Sequence, residues 1–195
     1  MIKIENKLFF LLAFLMAITI TLSNYLVQFP IKYLNLENLF TYGALSYPVA
    51  FLITDLSNRK YGKNAAKKIV YLGFVLGVLL TLYFSTNFSN LISIRIALGS
   101  GLAFLVAQLI DVNIFDKLRK EKWFIAPLYS SLIGSTVDTF LFFSIAFYGT
   151  GVNWITLSFG DLSVKIIVAL VMLIPFRLAI SYIKEASVVK KKINV

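Results

Sequence analysis

Long apolar stretches alternate with short polar ones along the whole chain. They lie near residues 8–29, 40–57, 69–87, 92–113, 123–148 and 162–182. A helix needs about 20 largely apolar residues to cross a hydrocarbon layer of roughly 30 Å, and it can cross because it satisfies its own backbone hydrogen bonds. The pattern predicts an all-α integral membrane protein, a bundle of six transmembrane helices forming a single domain over 1–195. Almost nothing is left over for a soluble domain. The first stretch follows Lys3 and Lys7 as a signal peptide would, but its apolar run is too long and no small-x-small site follows. It reads as a retained first helix.

Composition agrees with lipid as the solvent: 59% of the residues are apolar and 14% charged, and the mean hydropathy is +0.84. The net charge of +10 would suit a nucleic-acid partner, so the placement of the basic residues has to decide. Lys3 and Lys7 precede helix 1; Arg59, Lys60, Lys63, Lys67 and Lys68 follow helix 2; Lys117, Arg119, Lys120 and Lys122 follow helix 4; Lys184 and Lys190 to Lys192 follow helix 6. The alternate loops hold only Lys32, in the short outer connection with Glu37. This asymmetry puts both termini in the cytoplasm and needs an even number of spans. The basic cluster at Lys190 to Lys192 is read as a topology signal beside the last span, not as an RNA-binding tail.

Polar positions inside the spans mark candidate function, because an ionisable side chain at mid-membrane costs a few kcal/mol. Asp138 is the deepest charge, and Ser131, Gly134, Ser135 and Asp138 share one helix face. Tyr47, Phe51 and Asp55 make a second stripe on helix 2, and Gly101, Phe104, Gln108 and Asp111 a third on helix 4. Converging, the three stripes would line one cavity with carboxylates, an amide and aromatic faces, suited to a planar, hydrogen-bonding solute. Helices 3 and 6 would then turn mostly apolar faces to lipid. The plainer readings stay open beside this one. Asp55 and Asp111 would merely end their helices, paired with Arg59 or Arg119, and Asp138 would form a buried pair with Arg95 or Lys165 that only fixes packing. Arg95 and Lys165 start near the outer surface, where long side chains can snorkel.

Other features are structural. Pro48 predicts a kink in helix 2, Gly73 and Gly77 a close helix approach, and Trp154 an interfacial anchor. The start of helix 6 is open, since Ile155 to Phe159 fit the interface as well as the span. Ala50-Phe51-Leu52 before Asp55 recurs as Ala103-Phe104-Leu105 before Gln108, a short echo on which nothing rests. Without cysteine or histidine there is no thiolate metal site, no disulfide and no histidine base. Gly134 and Asp138 share a spacing with membrane CDP-alcohol phosphotransferases, but the next aspartate which that metal site needs is Phe142. An enzyme is not expected, and no cofactor is implied.

Three blocks carry a family resemblance. Tyr47-Pro48-Val49-Ala50-Phe51-Leu52-Ile53-Thr54-Asp55-Leu56, followed by Asn58, Tyr61-Gly62-Lys63 and Ala66, resembles the signature of the queuosine precursor transporter family, also called the vitamin uptake transporter family. The run from Ser100 to Val112 is similar to its fourth-helix motif. Ser130-Ser131, Gly134-Ser135 and Asp138-Thr139, then Phe142-Phe143 and Ile145 to Phe147, are similar to its fifth-helix motif. Arg59 stands where the family pattern has a glutamate. The resemblance implies a six-helix bacterial inner-membrane protein importing 7-cyano-7-deazaguanine or a related deazapurine base for tRNA modification, distantly like the substrate-binding subunits of energy-coupling-factor vitamin importers. Such a base offers adjacent N–H donors to one carboxylate and a flat face to aromatic rings. Asp138 or Asp55 would take the edge, Gln108 would complete it, and Tyr47, Phe51 and Phe104 would stack, with Asp111, Ser131 and Ser135 beside them. Two alternatives remain: a substrate-binding subunit, whose ATPase module would be a separate chain because no Gly-x4-Gly-Lys loop occurs here, and a structural membrane protein that carries nothing. Homo-oligomerisation is left open.

Overall fold

The computed structural model describes residues 4–31, 41–84 and 90–182. Six helices follow one another: α1 Ile4–Leu26, α2 Gly43–Tyr61, α3 Lys63–Phe84, α4 Leu91–Leu118, α5 Ile125–Phe147 and α6 Trp154–Tyr182. Among the described residues there is no strand, only an isolated bridge between Pro30 and Thr41. Lys3, Lys32, Glu37, Phe40, Lys184 and Lys190 to Lys192 lie outside the described residues.

All the helices except α2 are long and apolar enough to cross a membrane. α2 falls short because Asp55, Ser57, Asn58, Arg59 and Lys60 crowd its second half. Packing explains how so polar a helix is accommodated. α2 touches each of the other five helices, and Tyr47, Ala50, Phe51, Thr54, Asp55 and Asn58 are all buried. An inner helix needs no apolar coat against lipid, so its composition is free to serve the interior. The outer helices carry the coat: α6, for example, exposes Ile167, Leu170, Val171, Ile174 and Leu178.

Several boundaries differ from those the apolar runs suggest. The charged segment after helix 2 is mostly helix, because α2 runs on to Tyr61 and α3 begins at Lys63. Gly62 alone breaks the chain there. Its φ of +83° is in the region that favours glycine, and its N–H closes α2 on the Asn58 carbonyl at 2.9 Å. Lysines at helix ends can reach the aqueous boundary, so hydropathy loses the ends of helices that still have intact backbones. α6 likewise starts at Trp154 and takes Ile155 to Phe159 into the helix.

Glycines set the closest approach. A Cβ on Gly73 would lie 2.3 Å from the Met16 side chain, and one on Gly77 2.8 Å from that of Ile20, so α3 and α1 meet at the small-xxx-small step. At the helix ends, arginines replace water. Arg119 donates to the carbonyls of Asn58 (2.9 Å) and Arg59 (3.3 Å), while Arg59 donates to that of Arg119 (2.8 Å). Each guanidinium thus serves the carboxyl end of the other's helix. Arg95 does the same for α5, donating to Ile145 O at 2.9 Å and Tyr148 O at 2.8 Å.

Candidate solute-binding site

A lysine in the middle of the bundle orders the site. Lys165 on α6 is 3% exposed, and its ammonium has three protons to place. It places them on Asp161 Oδ2 at 2.6 Å, Asp138 Oδ2 at 2.9 Å and Thr139 Oγ1 at 3.1 Å. Thr139 in turn donates to Asp161 Oδ2 at 3.0 Å. Asp161 and Lys165 are one turn apart on α6, and Asp138 and Thr139 come from α5. The lysine also sits 5.0 Å from the centre of the Tyr47 ring, a cation–π contact from α2. Of the two buried aspartates, one charge is matched by Lys165 and one remains. Asp138 Oδ1 is buried with no protein partner.

A polar chain extends from this group to the remaining helices. The Tyr47 hydroxyl is 3.1 Å from Ser100 Oγ on α4, Ser100 bonds to Asn24 Oδ1 on α1, and Asn24 donates to Thr81 on α3 at 3.0 Å. Every helix therefore contributes to one connected network, α5 and α6 with two polar groups each and the other four with one. Tyr47, Ser100, Asn24, Asp138, Asp161 and Lys165 line a small void that holds about one water molecule.

A second polar group lies further along α2. Asp55 accepts from Ser130 at 3.2 Å and, more weakly, from Ser131 at 3.5 Å. Asp111 lies across the α2–α4 contact from Asp55, where Thr54 bonds to Gln108 and Asn58 to the Val112 carbonyl, and both oxygens of Asp111 are buried without a protein donor. Asp55 and Ser131 line a narrow void with Pro48, Pro127, Leu173 and Phe176. Among the described residues neither acid has an ion-pair partner: the arginines considered for them cap helix ends, and Arg119 pairs with Asp116 at 3.3 Å.

The stripes therefore do not meet in a single cavity. Tyr47 and Asp138 belong to one group, Asp55, Asp111 and Ser131 to the other. Phe51 lies against α5 at Gly134, where a Cβ would come within 2.5 Å of its ring. Gln108 accepts from Thr54 and keeps its Nε2 buried without a partner, as Ser135 keeps its hydroxyl. Phe104 faces elsewhere, stacked on Phe74 at 6.4 Å and edge-on to Tyr47 at 6.3 Å in the core between α1, α2 and α3. α6 is not a purely lipid-facing helix, since it brings Asp161 and Lys165. Their i, i+4 spacing was visible in the chain, but Asp161 fell before the start assigned to helix 6. Asn24 sits beside Ser23 near the end of an apolar run, and nothing in the sequence there marks it for function.

Comparison with known proteins decides the family. Residues 41–180 match the family model described as "Putative vitamin uptake transporter". The chain belongs to this vitamin uptake transporter family. It is 32% identical over 188 residues to the queuosine precursor transporter of Escherichia coli K12, covering 87% of this chain and 84% of that protein. It is 34% identical over 193 residues to a probable queuosine precursor transporter of Haemophilus influenzae, covering 84% and 82%. A probable queuosine precursor transporter of Bacillus subtilis is 31% identical over 158 residues, covering 68% of each. No solved structure matches the chain significantly. The family resemblance of the helix 2, 4 and 5 motifs is borne out, and the chain is a multi-pass protein of the bacterial inner membrane. The matched segment includes both polar groups but not Asn24, so the α1 end of the network lies outside the family model.

Proposed function

We propose that the chain imports queuosine precursors, 7-cyano-7-deazaguanine or a related deazapurine base, across the inner membrane for tRNA modification. The observation that carries this reading is the similarity to relatives bearing that transporter name over more than four-fifths of both chains. The network around Lys165 supports it chemically. Asp138 Oδ1 is a buried anionic acceptor without a donor, and the edge of a guanine-like base offers adjacent donors. Tyr47 supplies an aromatic face beside it. The void between them is too small for a two-ring base, so binding requires it to widen. Asp138 and Tyr47 bind the base. Gln108, Phe51 and Ser135 form the wall towards the second polar group.

In this reading α2 is the sixth span. Its 19 residues extend about 28 Å, and both termini are cytoplasmic, as the basic residues suggest. The protein moves its solute without chemically changing it and binds no nucleic acid. Expression of the chain alone in cells unable to make deazapurines tests the proposal, with queuosine in tRNA as the readout. Queuosine restored by added precursor, with no ATPase module supplied, is expected. Restoration only when an energy-coupling module is co-expressed would favour the substrate-binding-subunit alternative, and no restoration in either case a non-transporting protein.

A further inference from the structure

The second polar group has a feature that solute recognition does not use. Asp55 is 2% exposed and Asp111 0%, and they lie on the two sides of the contact between α2 and α4, between the Thr54–Gln108 and Asn58–Val112 hydrogen bonds that fasten it. Fully ionised, the two would offer only acceptors to one another, with the Ser130 and Ser131 hydroxyls as the side-chain donors to Asp55. Two adjacent anions in a buried site repel each other strongly and are poorly solvated, and such pairs hold one proton between them. The contrast with Asp138 and Asp161 is direct, for those acids share Lys165.

Among the described residues the surroundings supply no other counter-charge. From α6 the neighbours are Ala169, Met172, Leu173 and Phe176, and from α3 the residues clustered with Val112 are Ala66, Ile69 and Val70. α5 brings Pro127 and the two serines. The charged side chains at this end of α2 and α4 are Arg59, Asp116 and Arg119, occupied as described at the helix ends. Arg177 on α6 lies over the Trp123 ring at 4.9 Å. Two further side chains one turn from the acids are buried and incompletely bonded: Asn58 Oδ1 after Asp55 on α2, and Gln108 Nε2 before Asp111 on α4. An unfilled acceptor and donor beside the acids suit a group whose hydrogen bonds rearrange as a proton arrives and leaves.

We propose that Asp55 and Asp111 form a proton-binding site, holding one proton between two carboxyl groups and coupling solute import to the proton gradient. The coupling rests on the import reading above; the shared proton does not. One proton binds from the outer side with the solute, the oxygen of one carboxyl donates to the other while the site is occupied, and the same proton leaves towards the cytoplasm.

Two measurements on the purified full chain test this. Infrared spectroscopy across neutral pH should show the carbonyl stretch of a buried protonated carboxyl that disappears in Asp55→Asn/Asp111→Asn. Vesicles of phosphatidylethanolamine and phosphatidylglycerol containing the protein should accumulate 7-cyano-7-deazaguanine about tenfold for each pH unit by which the outside is more acid than the inside, with the electrical potential held at zero, since one proton per solute gives one decade. Asp111→Asn should still bind and exchange the base but concentrate it no further than equality. Wild type without the carboxyl band, or Asp55→Asn and Asp111→Asn that both still concentrate the base with the gradient, overturns the site. Vesicles in which even wild type takes up no base overturn the import reading instead, and the infrared titration then decides the shared proton alone.

Discussion

Lys165 Nζ stands 2.9 Å from Asp138 Oδ2, and both side chains are almost wholly buried. A cation of α6 thus holds an acid of α5, with Asp161 as its second anion at 2.6 Å. Removing the cation strands two buried anions, whereas removing Asp138 leaves Lys165 still paired with Asp161. Lys165→Met is therefore expected to destabilise the protein by about 3–5 kcal/mol, clearly more than Asp138→Asn. Reversible unfolding in mixed micelles measures both. Equal losses for the two variants would mean that Lys165 is not the hub of the network.

Gly134 gives Phe51 its place. A methyl group there would stand 2.5 Å from the ring edge and 3.1 Å from its tip, and a ring that is only 1% exposed cannot simply swing aside. Gly134→Ala should cost about 1–3 kcal/mol through overpacking. Phe51→Leu opens space at the same spot, so the double variant should lose less than the sum of the singles. Strict additivity in unfolding measurements would show that the two residues do not contact one another.

Asp138 shows what the sequence can reveal and what it cannot. Asp138 was recognisable as a buried functional candidate because it lies mid-span on a face of small and hydroxyl residues, and lipid tolerates no such face. The sequence offers it Arg95 and Lys165 as partners alike, and only the end of α5 separates them: Arg95 is drawn to the carbonyls of Ile145 and Tyr148. Three stripes on three helices implied one cavity, yet facing stripes fix angles around helices, not heights along them. Tyr47 and Asp55 are two turns apart, enough to serve two separate groups. Phe104 illustrates the other limit, since an aromatic on a polar stripe can pack into an apolar core instead, here between Tyr47 and Phe74. The family, by contrast, was legible from local motifs that require no knowledge of packing.

The orientation can be checked independently of transport. The basic residues around 58–68 and 114–122 lie at the ends of α2 and α4 and the start of α3, and the positive-inside rule predicts a cytoplasmic side for these and for both termini. Reporter fusions after Leu118 and after Val195 should be active only as cytoplasmic reporters, while a fusion after Asn90 should be active only outside. A fusion at Val195 that is active on the outer side would exclude six spans.

The final prediction concerns Asp138, whose two oxygens have different duties. Oδ2 is held by Lys165 at 2.9 Å, and Oδ1 is buried without a donor. In Asp138→Asn the amide oxygen can still accept from Lys165, which places the new NH2 group where Oδ1 was. That group is a donor facing the donor edge of a deazapurine, so a charge-assisted bond is lost and two donors are opposed. The loss should be about 2–4 kcal/mol, or roughly thirty- to a thousand-fold in affinity for the base. Insertion should be preserved, because an amide costs less in the membrane than an anion. Uptake of 7-cyano-7-deazaguanine by membranes with matched protein levels measures the effect, with Asp55→Asn and Asp111→Asn as comparisons. These two should impair concentration of the base against its gradient while leaving its affinity within about threefold of wild type, less than 1 kcal/mol. If affinity instead collapses in Asp55→Asn and is unchanged in Asp138→Asn, the base binds beside Ser130 and Ser131, and the group around Lys165 is a structural brace.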